Sequence, residues 1–123
     1  MAKQPYHELI VWKNAHVFVL EVYKATENFP AEEKYGVTSQ LRRAAVSVCC
    51  NIVEGHAKHS KADALRFLDI AGGSLRECAY LIELARDLTL LSATLYDTLD
   101  DLQRGTSYLL NEFRKGVRNR TDF

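Results

Sequence analysis

The sequence predicts an all-α fold, an antiparallel up-down-up-down four-helix bundle, with residues 1–123 forming a single domain. Proline stands only at positions 5 and 30, and no stretch sustains the period-two alternation of a half-buried strand. Four segments instead repeat apolar residues every three or four positions. Short connections join them, and short connections make successive helices antiparallel neighbours.

In the first helix, Val11, Ala15, Phe18, Val22, Ala25 and Phe29 form a seam spaced 4, 3, 4, 3, 4. It ends at Phe29-Pro30, because the residue before proline avoids the α region. The second helix runs from about Val37 to Ala57 on a seam of Val37, Leu41, Ala44, Val48, Ile52 and Gly55. Ser60 suits the N-cap of the third, with Asp63 three residues on as a weak capping box. Its seam is Ala64, Leu68, Ala71, Leu75, Cys78, Ile82 and Ala85. The fourth follows the connection "LSAT" on a seam of Leu95, Leu99, Leu102, Thr106, Leu109 and Phe113. Asp97, Asp100 and Asp101 near its start, and Arg114, Lys115 and Arg118 near its end, suit the helix dipole. The C-terminal "NRTDF" looks frayed.

A chain of 123 residues can bury a core without disulfides or metal. Sixteen basic and sixteen acidic residues cancel, so the overall positive field of a typical nucleic-acid binder is lacking. Three cysteines without C-x-x-C spacing do not support zinc. No basic-then-apolar leader opens the chain, so the expected location is cytoplasmic, with reduced thiols.

Helix two carries ten uncharged residues, Ala44 to Val53, about 15 Å of axis. That is too short to span a bilayer, so no membrane association is expected, and the stretch reads as a helix buried on most sides. Apolar surface is in excess elsewhere too. "VFVL" (Val17 to Leu20) covers every side of a turn, and "LTLL" (Leu88 to Leu91) nearly does. Second rows appear at Leu81, Leu84, Leu88 and Leu91 on helix three and at Trp12, Val19 and Tyr23 on helix one. Large exposed apolar patches mark interfaces, so the expected partner is a second copy of the chain.

Along and just beyond the uncharged region, Arg43, Ser47, Asn51 and Glu54 fall on one polar stripe of helix two, adjoined by Arg42. A turn near Lys58-His59 would set Ser47 opposite Ala71 and Arg43 opposite Leu75. Gly72 and Gly73 would then lie beside Ala44, Ala45 and Ser47, where a close helix crossing would offset their low helix propensity. Glu77 would reach Arg42 or Arg43. The plainer reading of the stripe is an ion pair that fixes helix register; a ligand site is the alternative.

These blocks resemble a known family, the four-helix-bundle proteins called 23S ribosomal-RNA intervening-sequence proteins. The resemblance rests on "LIVWKNAHVFVLEVYKATENFP", "YGVTSQLRRAAVSVCCNIVEG" and "RFLDIAGGSLRECAYLIELARDL". Gln40, Arg42, Arg43, Ser47, Asn51, Glu54 and Gly55 match the family's Q-L-R-R-A-A-x-S-[IV]-x-x-N-I-x-E-G, and Gly73, Ser74 and Glu77 match its G-S-x-x-E. The family commonly has Pro where Cys49 stands and Lys or Arg where Gly72 stands. The family is also similar to the accessory variability protein of diversity-generating retroelements, a homopentameric barrel that binds nucleic acid and a reverse transcriptase. The resemblance implies a bundle fold and a homo-oligomer, with a pentamer as the recurring assembly. Most members have no assigned biochemical activity, and neither an enzyme activity nor a cofactor is expected here.

Enzyme chemistry finds little support in the residues. His56 and His59, with Glu54 and Asp63, straddle the break between helices two and three and lack H-E-x-x-H spacing. Ser47 and Ser74 have no positioned histidine in the local sequence, and "AGGS" is not a phosphate loop. Nucleic-acid binding is the sharper expectation. Lys58, Lys61 and Arg66 surround the turn between helices two and three, while Arg114, Lys115, Arg118 and Arg120 lie at the end of helix four. In this topology both clusters reach one rim, where RNA or DNA phosphates would bind. The plainer reading is solvated helix-end cations, and the competing function is a protein–protein adaptor.

Overall fold

The computed structural model describes residues 2–122. Four α-helices carry the fold: α1 Ile10–Thr26, α2 Val37–Ala57, α3 Lys61–Asp87 and α4 Ala93–Arg118. Short 3-10 helices precede α1 at Pro5–Glu8 and α2 at Ala31–Glu33. Ser60 caps α3, its hydroxyl accepting the Asp63 N–H at 3.1 Å. Ser92 caps α4 in the same way, accepting the Leu95 N–H at 3.1 Å. Residues 119–122 follow α4 outside the helix; Phe123 of the expected frayed tail lies outside the described residues.

Named contacts fix the topology. The end of α1 meets the start of α2 through Thr26 and Arg42. The end of α2 meets the start of α3 where Gly55 faces Leu68. Lys61 at the start of α3 reaches Arg118 at the end of α4, and Asn14 of α1 bonds Thr106 and the Leu102 carbonyl of α4. Each helix is therefore antiparallel to its sequence neighbour, and α4 closes the bundle against α1.

The core has two clusters, one toward each end. Phe18, Val22, Leu41, Cys78, Ile82 and Leu99 build the first. Val11, Val48, Ile52, Leu68, Leu75, Leu110 and Val117 build the second. The expected seams of α2 and α3 are buried throughout. Phe29 lies beyond the end of α1 and packs only partly on the first cluster.

Four expectations need correction. The buried row of α4 is Leu99, Gln103, Thr106, Leu110 and Val117, while Leu95 is exposed and Leu102, Leu109 and Phe113 are half-buried. Leucine periodicity misplaced that row because Gln103 is a polar residue in a core position. "LTLL" is not a helical turn: α3 stops at Asp87, and Thr89 takes a left-handed φ of 59°. The Leu90 N–H then returns to the Ala85 carbonyl at 2.8 Å. The second row of α3 is mostly consumed inside the bundle, since Leu81 and Leu91 are buried and Leu84 packs on the core, leaving Leu88 exposed.

The close crossing is also elsewhere than expected. Gly72 faces α4: an added Cβ would lie 3.6 Å from Arg114 Nη1 and 3.8 Å from Leu110 Cδ2. Gly73 would meet only Arg76. The tight approach of α2 to α3 is at Gly55, where a Cβ would lie 2.9 Å from Leu68 Cδ2 and 3.1 Å from the Ala64 carbonyl oxygen.

Candidate nucleic-acid interface

The polar stripe of α2 lines a groove against α3. Gln40, Arg43, Ala44, Ser47, Ser74 and Glu77 enclose about 400 Å³ there. At its floor the Ser47 and Ser74 hydroxyls lie 2.8 Å apart, and Asn51 Nδ2 donates to the Ser47 carbonyl at 2.8 Å and to Ser47 Oγ at 3.0 Å. Ser47 thus faces Ser74 rather than Ala71, nearly one helical turn from the expected pairing.

The expected ion pair is not formed. Arg43 and Glu77 are both exposed on the groove, and no salt bridge within 4.0 Å joins them. Arg42 turns to α1 instead. Its Nε donates to Thr26 Oγ1 at 2.8 Å, and its guanidinium lies 4.5 Å from the centre of the Tyr23 ring. Glu54 pairs with Lys58, one turn on, at 3.4 Å. Hydroxyl and amide hydrogen bonds, not buried charge, occupy the stripe.

The two basic clusters do meet at one end of the bundle. Lys61 Nζ donates to the Arg118 carbonyl at 2.9 Å, tying the start of α3 to the end of α4. Asn111, Arg114, Lys115 and Arg118 line a depression of about 300 Å³. His56, Lys58 and His59 line another of about 540 Å³ with Arg120 and Asp122. Five of the seven cations already hold a carboxylate: Lys58 with Glu54, Arg66 with Asp63, Arg114 with Asp69, Lys115 with Glu112 and Arg120 with Asp122. Among the described residues, Lys61 and Arg118 hold none. Such exposed pairs are individually weak and open readily to a competing anion.

A group of rings at the same end escaped the sequence reading. Tyr6 lies 4.5 Å from His7 and 5.0 Å from Trp12, centre to centre. Trp12 stacks on His16 at 4.9 Å with an interplanar angle of 8°. The spacing of Trp12 and His16, four residues apart on one helix face, was a legible signal. Tyr6 and His7 were not legible, since a one-turn 3-10 helix has no seam.

Among the described residues no three His, Cys, Asp or Glu side chains gather in a metal-binding group. His56 lies instead against Phe113, their ring centres 6.2 Å apart. No helix of the described residues is long and apolar enough to cross a membrane. Burial pushes the Cys49 and Cys78 thiols up to about 12, with help from Cys50 and Glu77 respectively, so neither is a ready nucleophile.

A sequence model of the 23S rRNA-intervening sequence protein matches residues 7–112, across all four helices. The chain belongs to this family. The same fold is seen in a crystal structure at 1.70 Å of a protein of unknown function from the S23 ribosomal protein family of Bacteroides thetaiotaomicron VPI-5482. The two chains superpose with a TM-score of 0.77 at 23% identity, covering 86% of this chain and 99% of the other. A comparison with curated proteins finds no match. Where the family commonly carries proline, this chain has Cys49 inside an uninterrupted α2.

Proposed function

We propose that this family member is a non-enzymatic homo-oligomer, a pentamer in the simplest case, that binds RNA or DNA phosphates at the basic end of each bundle. The observation that carries the reading is the convergence of two sequence-distant cation clusters, tied by Lys61 and Arg118. Repetition around an assembly would multiply a local charge that is weak in one copy. Assembly is supported by apolar residues left exposed on adjacent helices: Val17 and Leu20 on α1, and Val46 on α2. Light scattering should return about five times 14.0 kDa; a monomer at micromolar concentration would remove the assembly. Anisotropy titrations with RNA and DNA oligonucleotides should show affinity that falls steeply as salt rises. Replacing Lys115, Arg118 and Arg120 with glutamine should abolish it while the oligomer persists, because these residues lie outside the apolar surface.

The pairing of five cations with carboxylates favours a second reading, an adaptor that binds a protein and no nucleic acid. Absence of oligonucleotide binding at low salt would select it.

A further inference from the structure

Of the four rings at the start of the chain, only Trp12 packs on the core. The 3-10 helix Pro5–Glu8 buries none of its residues, yet Tyr6 and His7 are held against each other and against Trp12. His16 is exposed, with one face on the indole of Trp12. Trp12 itself is half-buried, resting on the second core cluster, against which Phe113 of α4 also packs. Phe113 leads on to His56, and His56 to the depression lined by Lys58 and Arg120. The rings at the start of α1 and the cations at the end of α2, the start of α3 and the end of α4 therefore occupy one end of the bundle.

An aromatic platform beside a positive rim is the arrangement that binds single strands. Bases present π-faces only when unpaired, and stacking on side-chain rings tolerates any base. Duplex bases are already stacked and offer only phosphates to the rim. We propose that this end selects single-stranded RNA or DNA, with a base stacked on the ring cluster at His16 and Trp12 and its phosphates on Lys58, Lys61 and Arg118. The inference rests on the phosphate-binding reading above and adds to it a ligand class and a second group of residues.

Trp12 is the sole tryptophan, so its emission reports on the platform directly. The probes are oligouridylate and oligothymidylate of about 12 nucleotides, and a blunt duplex of the same length, at low salt. The expected result is a change of Trp12 emission on adding either single strand, none on adding duplex, and tighter binding of the single strands. His16→Ala should weaken single-strand binding about fivefold or more, the usual loss for one stacked base, and leave duplex binding unchanged. Its solvent-exposed position keeps the fold intact, and Trp12→Leu with a matching circular-dichroism spectrum gives a second measure of affinity. Equal affinity for single strand and duplex, with Trp12 emission unmoved, would overturn the platform and leave the phosphate reading standing. No binding of any probe would overturn both.

Discussion

The hydroxyls of Ser47 on α2 and Ser74 on α3 lie 2.8 Å apart, each midway along its helix. Asn51 completes the cluster from one turn away. Neutral hydrogen bonds thus stand where the sequence predicts an ion pair. Ser47 Oγ is the hub of the cluster: Ser47→Ala leaves Ser74 without this partner and takes one of two acceptors from Asn51, which keeps the Ser47 carbonyl. We expect a loss of about 1–2 kcal/mol in urea denaturation, against a smaller loss for Ser74→Ala. The double variant should cost less than the sum. Equal, additive losses would show that the hydroxyls are not coupled.

Arg43 and Glu77 share the groove without pairing. Alanine at either should change stability by less than about 0.5 kcal/mol, as for ordinary surface positions. The two effects should add. A loss of several kcal/mol from either would restore the buried ion pair.

Gly55 and Gly72 should respond to alanine with opposite signs. At Gly55 the new Cβ would press on the Ala64 carbonyl oxygen, which belongs to the backbone of α3 and yields little. Overpacking of about 1–3 kcal/mol should outweigh the gain in helix propensity. At Gly72 the nearest atoms are at ordinary contact distance, so alanine should stabilise by up to about 1 kcal/mol. Thermal melts of the two variants on either side of the parent would bear this out.

Thr89 holds a left-handed φ of 59° at the end of α3, where a β-branched side chain is strained. Thr89→Gly should raise stability by up to about 1 kcal/mol and leave the α3–α4 connection unchanged. A destabilised glycine variant would mean that the threonine side chain contributes more than its backbone strain.

The three cysteines should separate by reactivity. Cys50 is exposed, while Cys49 and Cys78 are held as thiols by burial. A thiol reagent at pH 8 should label Cys50 first in the folded protein and all three after denaturation, as followed by mass spectrometry of the peptides. Because both buried thiols titrate above the ordinary value of about 8.5, their contribution to stability is present below that pH and declines as pH rises toward 12. Prompt labelling of Cys78 in the native protein would contradict its burial.

The sequence by itself determined the four helices, the seams of α2 and α3, and the Ser60 cap, because apolar spacing and capping chemistry act within a few residues of the chain. It also placed the two basic clusters at one end, since that follows from topology alone. Tertiary structure decided the rest. Gln103 replaced Leu102 in the core of α4, Ser74 replaced Ala71 opposite Ser47, and Gly55 replaced Gly72 at the close crossing. Each of these depends on helix rotation and axial offset, which packing across the whole bundle settles and local spacing does not encode. The pairing of Arg42 with Thr26 and of Arg114 with Asp69, and the contact of Tyr6 with Trp12, arise the same way. A long side chain can reach several partners, and only the packed neighbours select one.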